Sequence, residues 1–242
     1  MENMNVVEGR QPVLELFAAG QAINQILVAK GERHGSIHKI LKLAKEQGVI
    51  IKEVQRSYLD SISETKAHQG VIAYISPIQY WELADLLTKD SLEVLLVLDE
   101  IQDPHNLGSL IRTAEACGVD GVIIPKRRAA AVTPTVAKVS AGSVSHIPIC
   151  RVGNLVGALK ELKDKGFWVA GADMAGQVCY RQDLQGKIVL VVGNEGKGLS
   201  RLVKETCDFL VKIPMQGAVG SLNAAVAGGI LIYEIMRQRD MN

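Results

Sequence analysis

The 242-residue sequence predicts an α/β protein, a small α/β unit followed by a larger domain built on a parallel sheet. Beyond residue 93, apolar runs such as 94–98 (VLLVL) and 188–192 (IVLVV) are continuous instead of alternating, which marks strands covered on both faces. Helical patterns separate most of these runs, as parallel strands joined by crossover helices require. The first 75 residues alternate shorter helix and strand patterns on their own scale.

Taken in order, 12–19 suit a short helix with Pro12 early and Gly20 just after it, and 25–29 (QILVA) read as a strand. At 36–47, Ile37, Ile40, Leu41 and Ala44 fall at helical spacing, with Ser36 as the cap and Gly48 as the stop. A second strand at 49–54, a short helix at 57–63 and a third strand at 71–75 complete a first domain, 1–75. Residues 76–92 (SPIQYWELADLLTKDSL) carry a proline, a short amphipathic stretch and net negative charge, and read as a linker with a connecting helix. The second domain, 93–242, has strands expected at 94–98, 121–125, 145–150 (SHIPIC), 167–172 (FWVAGA), 188–192 and 209–213 (FLVKI).

Hydrophobic residues at 48% and charged residues at 22% describe an ordinary globular chain. Aromatic content of 4% argues against base-stacking platforms, and a net charge of +1 against binding nucleic acid by bulk electrostatics. Lys126, Arg127 and Arg128 form a local basic cluster, which fits a solvated loop as well as a phosphate contact. Four cysteines about thirty residues apart, with no C-x-x-C, fit neither a zinc site nor a disulfide scaffold; reduced thiols and no metal are expected. The start of the chain lacks a secretion signal, and no apolar run approaches the ~18 residues that cross a bilayer, so a soluble cytoplasmic protein without membrane contact is expected.

Ligands of parallel α/β sheets bind beyond the carboxyl ends of the strands. Three loops follow such ends: DEIQDPHNLGS after the first strand, GNEGKG after the fifth and IPMQGAVGSLN after the last, and they are expected to converge. The glycine loop is neither of the common nucleotide motifs. A Walker loop needs G-x-x-x-x-G-K-[ST], but Lys197 precedes Gly198 and the glycine spacing is too short. A dinucleotide fingerprint needs G-x-G-x-x-G after the first strand, whereas Gly193, Gly196 and Gly198 follow a late one; a nucleotide-dependent dehydrogenase is thereby excluded. Asn106 as cap of the helix after DPHNLGS would stand about a turn and a half before Arg112, so that both could face one ligand. His105 reads as a turn residue. Ser221-Leu222-Asn223 opens a last helix, with Ser221 as its simplest cap, so small-residued that something must pack close against it.

Together, DPHNLGSLIRTAEACGV (103–119), VVGNEGKGLSRLVKETCD (191–208) and IPMQGAVGSLNAAVAGGI (213–230) resemble the three signature motifs of SpoU-type (TrmH-like) RNA ribose 2′-O-methyltransferases of the SPOUT superfamily. GRQPVLELF and HQGVIAY (68–74) resemble that family's small L30e-like RNA-binding domain. Within that family the sequence most resembles the bacterial enzymes that methylate a guanosine of 23S (large-subunit) ribosomal RNA. The resemblance implies S-adenosylmethionine as methyl donor, a trefoil knot in the C-terminal domain, and a homodimer whose active site is completed across its interface. It also implies cofactor contacts from Gly193, Ile213 and Leu222, and a catalytic set of Asn106, Arg112, Glu195, Ser221 and Asn223. Arg112 is the family's candidate base, but arginine holds its proton tightly. Its expected task is therefore to hold the target phosphate and stabilise the developing alkoxide, accepting the proton only in the assembled complex. Ribose methylation of transfer RNA, and a non-catalytic RNA-binding protein of the same fold, are the alternatives.

Overall fold

A computed structural model describes residues 5–32, 35–217 and 220–240. The chain up to Gln79, with Ala131–Thr135, forms one compact unit; Tyr80–Ala130 and the chain from Val136 onward form the other.

The first unit runs β1 (Val6–Glu8), α1 (Arg10–Ala18), β2 (Ile23–Ala29), α2 (Ser36–Glu46), β3 (Ile50–Val54), α3 (Arg56–Ile62) and β4 (Val71–Ile75). Among the described residues its sheet has the order β1-β4-β2-β3; β2 runs parallel to β3, and β4 antiparallel to β1 and β2. Successive residues of β2 serve opposite faces. Ile26 and Val28 pack with Val13, Phe17, Ile37 and Ile40 from α1 and α2, while Leu27 and Ala29 pack with Leu59 of α3. Each such buried aliphatic side chain contributes roughly 1.5–3 kcal/mol. Ser36 does not cap α2: it is the first helical residue, and the cap is Gly35 at φ 63, which has no side chain to offer. Three-residue β1 is too short to leave a periodic signature. Buried Asn24 donates to the carbonyl of buried Val132 at 2.8 Å, which explains why 131–135 pack with this unit although the sequence assigns them to the second.

The second unit contains α4 (Leu83–Leu86), β5 (Val94–Leu98), α5 (Pro104–Ala116), β6 (Gly121–Pro125), the C-terminal part of α6 (Pro134–Val139), β7 (Ile149–Val152), α7 (Leu155–Asp164), β8 (Trp168–Val178), β9 (Ile188–Val192), α8 (Arg201–Thr206), β10 (Phe209–Lys212) and α9 (Ala224–Asp240). Among the described residues the sheet order is β10-β8-β9-β5-β6-β7, parallel throughout. Every residue of β5 and β9 is buried, as their unbroken apolar runs require.

The segment expected to be a linker is largely structured: Leu83, Leu86 and Leu92 enter the core, and the Trp81 amide donates to Ile149 at 2.9 Å beside β7. The third strand begins later than expected. A 3₁₀ turn at Ser143–Ser145 intervenes, and Pro148, which has no N–H, offers the sheet only its carbonyl, which accepts from Val122. β8 continues past its apolar run to Val178, and β10 pairs with both of its halves across a register shift at Leu210/Val211. A Cβ on Gly176 would lie 2.3 Å from the Leu210 backbone, so only glycine lets the two strands meet there. The small-residued face of α9 meets α5, where a Cβ on Gly228 would fall 2.3 Å from Leu110 Cδ2.

Candidate active site

At the carboxyl end of β5 the chain turns sharply. Asp99 is buried, and its carboxylate accepts the Ser200 amide at 2.6 Å; Glu100 adopts a left-handed φ of 56°. Asp103, not Asn106, caps α5: its side chain accepts the His105 amide at 3.0 Å, and Pro104 fills the first turn. Asn106 is therefore inside the helix and buried, and its side chain is free to reach another segment.

That segment is the glycine loop after β9. The Asn194 and Gly198 backbones bond each other at 3.1 and 2.8 Å, and Asn194 Oδ1 accepts the amides of Gly196 and Lys197 at 3.0 and 3.3 Å. A Cβ on Gly193 would stand 2.4 Å from the Gly198 backbone. The first glycine is thus required by the loop closing on itself. Asn194 Nδ2 also donates to the Glu100 carbonyl at 3.1 Å, which ties this loop to the one after β5.

The closed loop presents Glu195 to the third segment. Glu195 Oε1 accepts from Asn106 Nδ2 at 2.9 Å, from Asn223 Nδ2, and from the Ala224 amide at 3.3 Å. Asn223 Nδ2 also faces Asn106 Oδ1 at 2.9 Å, and Asn223 Oδ1 accepts the amides of Ala225 and Val226, so Asn223 caps α9 in place of Ser221. The three loops do converge, bonded side chain to side chain.

Beside this cluster lies a cavity of about 330 Å³. Gly193, Ile213 and Leu222 line it, as do Glu195 and Ser221, together with Asp173, Met174, Lys197 and Met215. Burial pushes the Asp173 carboxyl up, but hydrogen bonds from Lys204 and the Ala175 amide, with the Lys204 charge, outweigh it and leave the group below its ordinary value. The cavity wall therefore carries a carboxylate at neutral pH.

Arg112 stands apart. It is exposed, does not line the cavity, and among the described residues bonds none of the cluster. Six positions along a helix leave two side chains about 120° apart, so Asn106 and Arg112 leave α5 on different faces. Sequence reasoning missed Asp99 and Asn194. An acid closing an apolar strand, and an asparagine between two loop glycines, were the available signals.

Cys150 and Cys207 are removed from nucleophilic roles: burial first, then nearby carboxylates, push their thiols up to about 12 and about 11. Among the described residues no group of three His, Cys, Asp or Glu side chains is arranged to hold a metal ion, and no helix is long and apolar enough to cross a membrane.

Comparison with known proteins agrees with this geometry. The sequence model of the SpoU rRNA Methylase family matches residues 93–233, and that of the RNA 2′-O ribose methyltransferase substrate-binding domain matches 6–81. A TrmH family tRNA/rRNA methyltransferase of Staphylococcus saprophyticus is 47% identical over 97% of this chain and 96% of its own. Among solved structures, the SpoU methyltransferase AviRb of Streptomyces viridochromogenes, in complex with S-adenosylmethionine, is 25% identical with a TM-score of 0.63, over 98% of this chain and 91% of that one. An S-adenosylmethionine-bound rRNA methyltransferase of Sinorhizobium meliloti is 28% identical with a TM-score of 0.62, over 96% and 87%. The fold is that of an α/β RNA methyltransferase that uses S-adenosylmethionine. The chain belongs to the SpoU (TrmH-like) family of RNA 2′-O-ribose methyltransferases.

Proposed function

We propose that the protein transfers the methyl group of S-adenosylmethionine to the ribose 2′-hydroxyl of a guanosine in 23S ribosomal RNA, in the cytoplasm. The observation that carries this reading is the Asn106–Glu195–Asn223 cluster standing at the mouths of three parallel strands, beside a cavity lined by Gly193, Ile213 and Leu222. The rRNA methyltransferase likeness spans 96% of this chain, both units included, which favours ribosomal over transfer RNA.

The cavity fits the donor in kind. Backbone and apolar side chains from Gly193, Ile213 and Leu222 suit an adenosine, and Asp173 sets an anionic wall where a cationic ligand gains. When bound, S-adenosylmethionine supplies a methyl group on a sulfonium whose leaving group is a neutral thioether, so the enzyme needs no general acid. The remaining difficulty is the hydroxyl. Glu195, fixed by three N–H donors, holds Asn106 and Asn223 in one geometry, and Ser221, which lines the cavity, hydrogen-bonds substrate or donor. Holding the reactants in line supplies several kcal/mol of the barrier.

Arg112 completes the site from a second copy of the chain. Its guanidinium grips the target phosphate and stabilises the developing alkoxide, whose proton passes to water as the methyl group moves from sulfonium to oxygen. Its exposure outside the cavity of its own chain accords with this, as does the exposed apolar stripe Val226, Ile230 and Tyr233 on α9, a face for a homodimer to cover. The strand order β10-β8-β9-β5 sends the chain back across β8 and β9 to bring α9 against α5, and we infer that this return threads a trefoil knot.

The test is incubation with labelled S-adenosylmethionine and transcripts of large-subunit ribosomal RNA and of transfer RNA, followed by digestion to nucleosides. Label in 2′-O-methylguanosine from the ribosomal transcript is expected. Label on a base, or on transfer RNA alone, would overturn the assignment of target.

A further inference from the structure

The site uses the carboxyl ends of β5, β9 and β10, but the same sheet edge continues through β6 and β7. There it carries a different chemistry. Lys126, Arg127 and Arg128 follow β6, and Arg151 lies within β7 at its carboxyl-terminal half. In a protein of net charge +1 this is a local concentration of cations.

Its parts are held in place. Arg151 Nη2 donates to the Lys126 carbonyl at 3.3 Å, and its guanidinium lies over the Tyr80 ring, 5.3 Å from the centroid. The Lys126 amide donates to Val152 at 2.8 Å, and the Ala130 amide to Ile101 at 2.8 Å, so the turn is bonded at both ends and its exit touches the loop after β5. Arg128 takes a left-handed φ of 61°, costly for a residue with a Cβ, and so does Glu100, its partner at 3.4 Å. The Glu100 carbonyl in turn accepts from Asn194, the neighbour of Glu195. A continuous bonded path therefore joins the cations to the candidate site. The Arg128 side chain is 79% exposed, its ion pair is of a kind worth little in water, and Arg127 forms no ion pair among the described residues.

We propose that this rim, Arg127 and Arg128 above all, is a phosphate-binding track on the catalytic unit itself. It would take the RNA strand flanking the target nucleotide, with Glu100 holding Arg128 until a phosphate replaces it. β6 and β7 stand about 5 and 10 Å beyond β5, within reach of the flanking phosphates of a nucleotide docked there. The inference rests on the methyl-transfer reading of the site, and deepens it by naming where RNA lies on the domain that does the chemistry.

Binding of a large-subunit ribosomal RNA transcript is measured over a salt series for wild type, Arg127→Ala, the double variant Arg127→Ala/Arg128→Ala, and Glu100→Gln. S-adenosylmethionine affinity is measured on the same samples by calorimetry. Each lost contact should flatten the dependence of log K on log salt by about 0.7, with donor affinity unchanged, and Glu100→Gln should bind RNA more tightly than wild type. The single Arg127 variant, which removes no ion pair, guards against a folding defect in the double one. An unaltered salt slope in both arginine variants overturns the track. Weaker binding by Glu100→Gln at an unaltered slope does so too, since the pair would then only brace the turn. Failure of wild type to bind S-adenosylmethionine would count against the methyl-transfer reading, while the salt slopes would still judge the track.

Discussion

One oxygen of Glu195 accepts three N–H groups, from the Asn106 and Asn223 side chains and the Ala224 amide. Donors drawn from α5 and from the start of α9 are thereby fixed to a loop after β9, so a single carboxylate closes the site. Removing it leaves those donors without that acceptor. Because Glu195 and Asn223 are exposed and only Asn106 is buried, Glu195→Ala should cost about 0.5–1.5 kcal/mol, the net worth of an ordinary hydrogen bond. For a chain of this size each kcal/mol lowers Tm by roughly 2–4 °C, readable in a thermal melt. Glu195→Gln keeps the shape but turns an NH₂ towards donors or offers one neutral oxygen, and should fall between wild type and alanine. A melt unchanged in Glu195→Ala would mean the cluster is not a structural tie.

At the scale of elements, the glycine loop is stiff because it folds upon itself. Gly193→Ala places a Cβ 2.4 Å from backbone atoms of Gly198, which cannot swing away as a side chain could. The loop must open, and calorimetry should find S-adenosylmethionine binding weakened by well over tenfold. In the first unit, β1 is tied to the segment after α3 through Glu8, which accepts from Ser63, from Thr65 and from the Glu64 amide. Burial raises the Glu8 carboxyl, but these bonds outweigh it and hold it below 4.5. The stabilisation is therefore complete above 4.5 and drains as pH falls through the depressed folded value. Acid titration of unfolding should show a shallower acid limb in Glu8→Gln than in wild type. These elements also explain what could be read from the chain alone. Fully apolar β5 and β9 announce a buried parallel sheet, and loops after the ends of such strands announce where a site is built. Asn24 reaching Val132, or β8 running on through polar residues because Gly176 lets β10 approach, depends on partners far away in sequence and leaves no local pattern. The cap positions were misread for a related reason: Asp103 and Asn106 are both good caps by type, and only the path of the chain selects one.

At the scale of the whole molecule, the place of Arg112 bears on how many copies of the chain a working site needs. Within its own chain the arginine is exposed and does not line the cavity, and α9 exposes Val226, Ile230 and Tyr233 at positions i, i+4 and i+7, with Tyr233 68% exposed. Such a stripe on one face suits burial against a second copy. Arg112→Ala should abolish methylation while leaving S-adenosylmethionine affinity nearly intact, since nothing lining the cavity is altered. That alone does not say whose site the arginine serves, but mixing two inactive variants does. Arg112→Ala keeps Glu195, and Glu195→Ala, which releases Asn106 and Asn223 and should likewise abolish methylation, keeps Arg112. If the arginine acts across a two-fold interface, a mixed dimer holds one site with both groups and one with neither. With free exchange at equal amounts, half the dimers are mixed, so activity should return to about a quarter of wild type. If it acts in its own chain, every site in every combination lacks one group and no activity returns. Sedimentation of the same mixture separates the remaining case: a monomer with no recovery would place Arg112 in its own chain and leave the stripe on α9 for another partner.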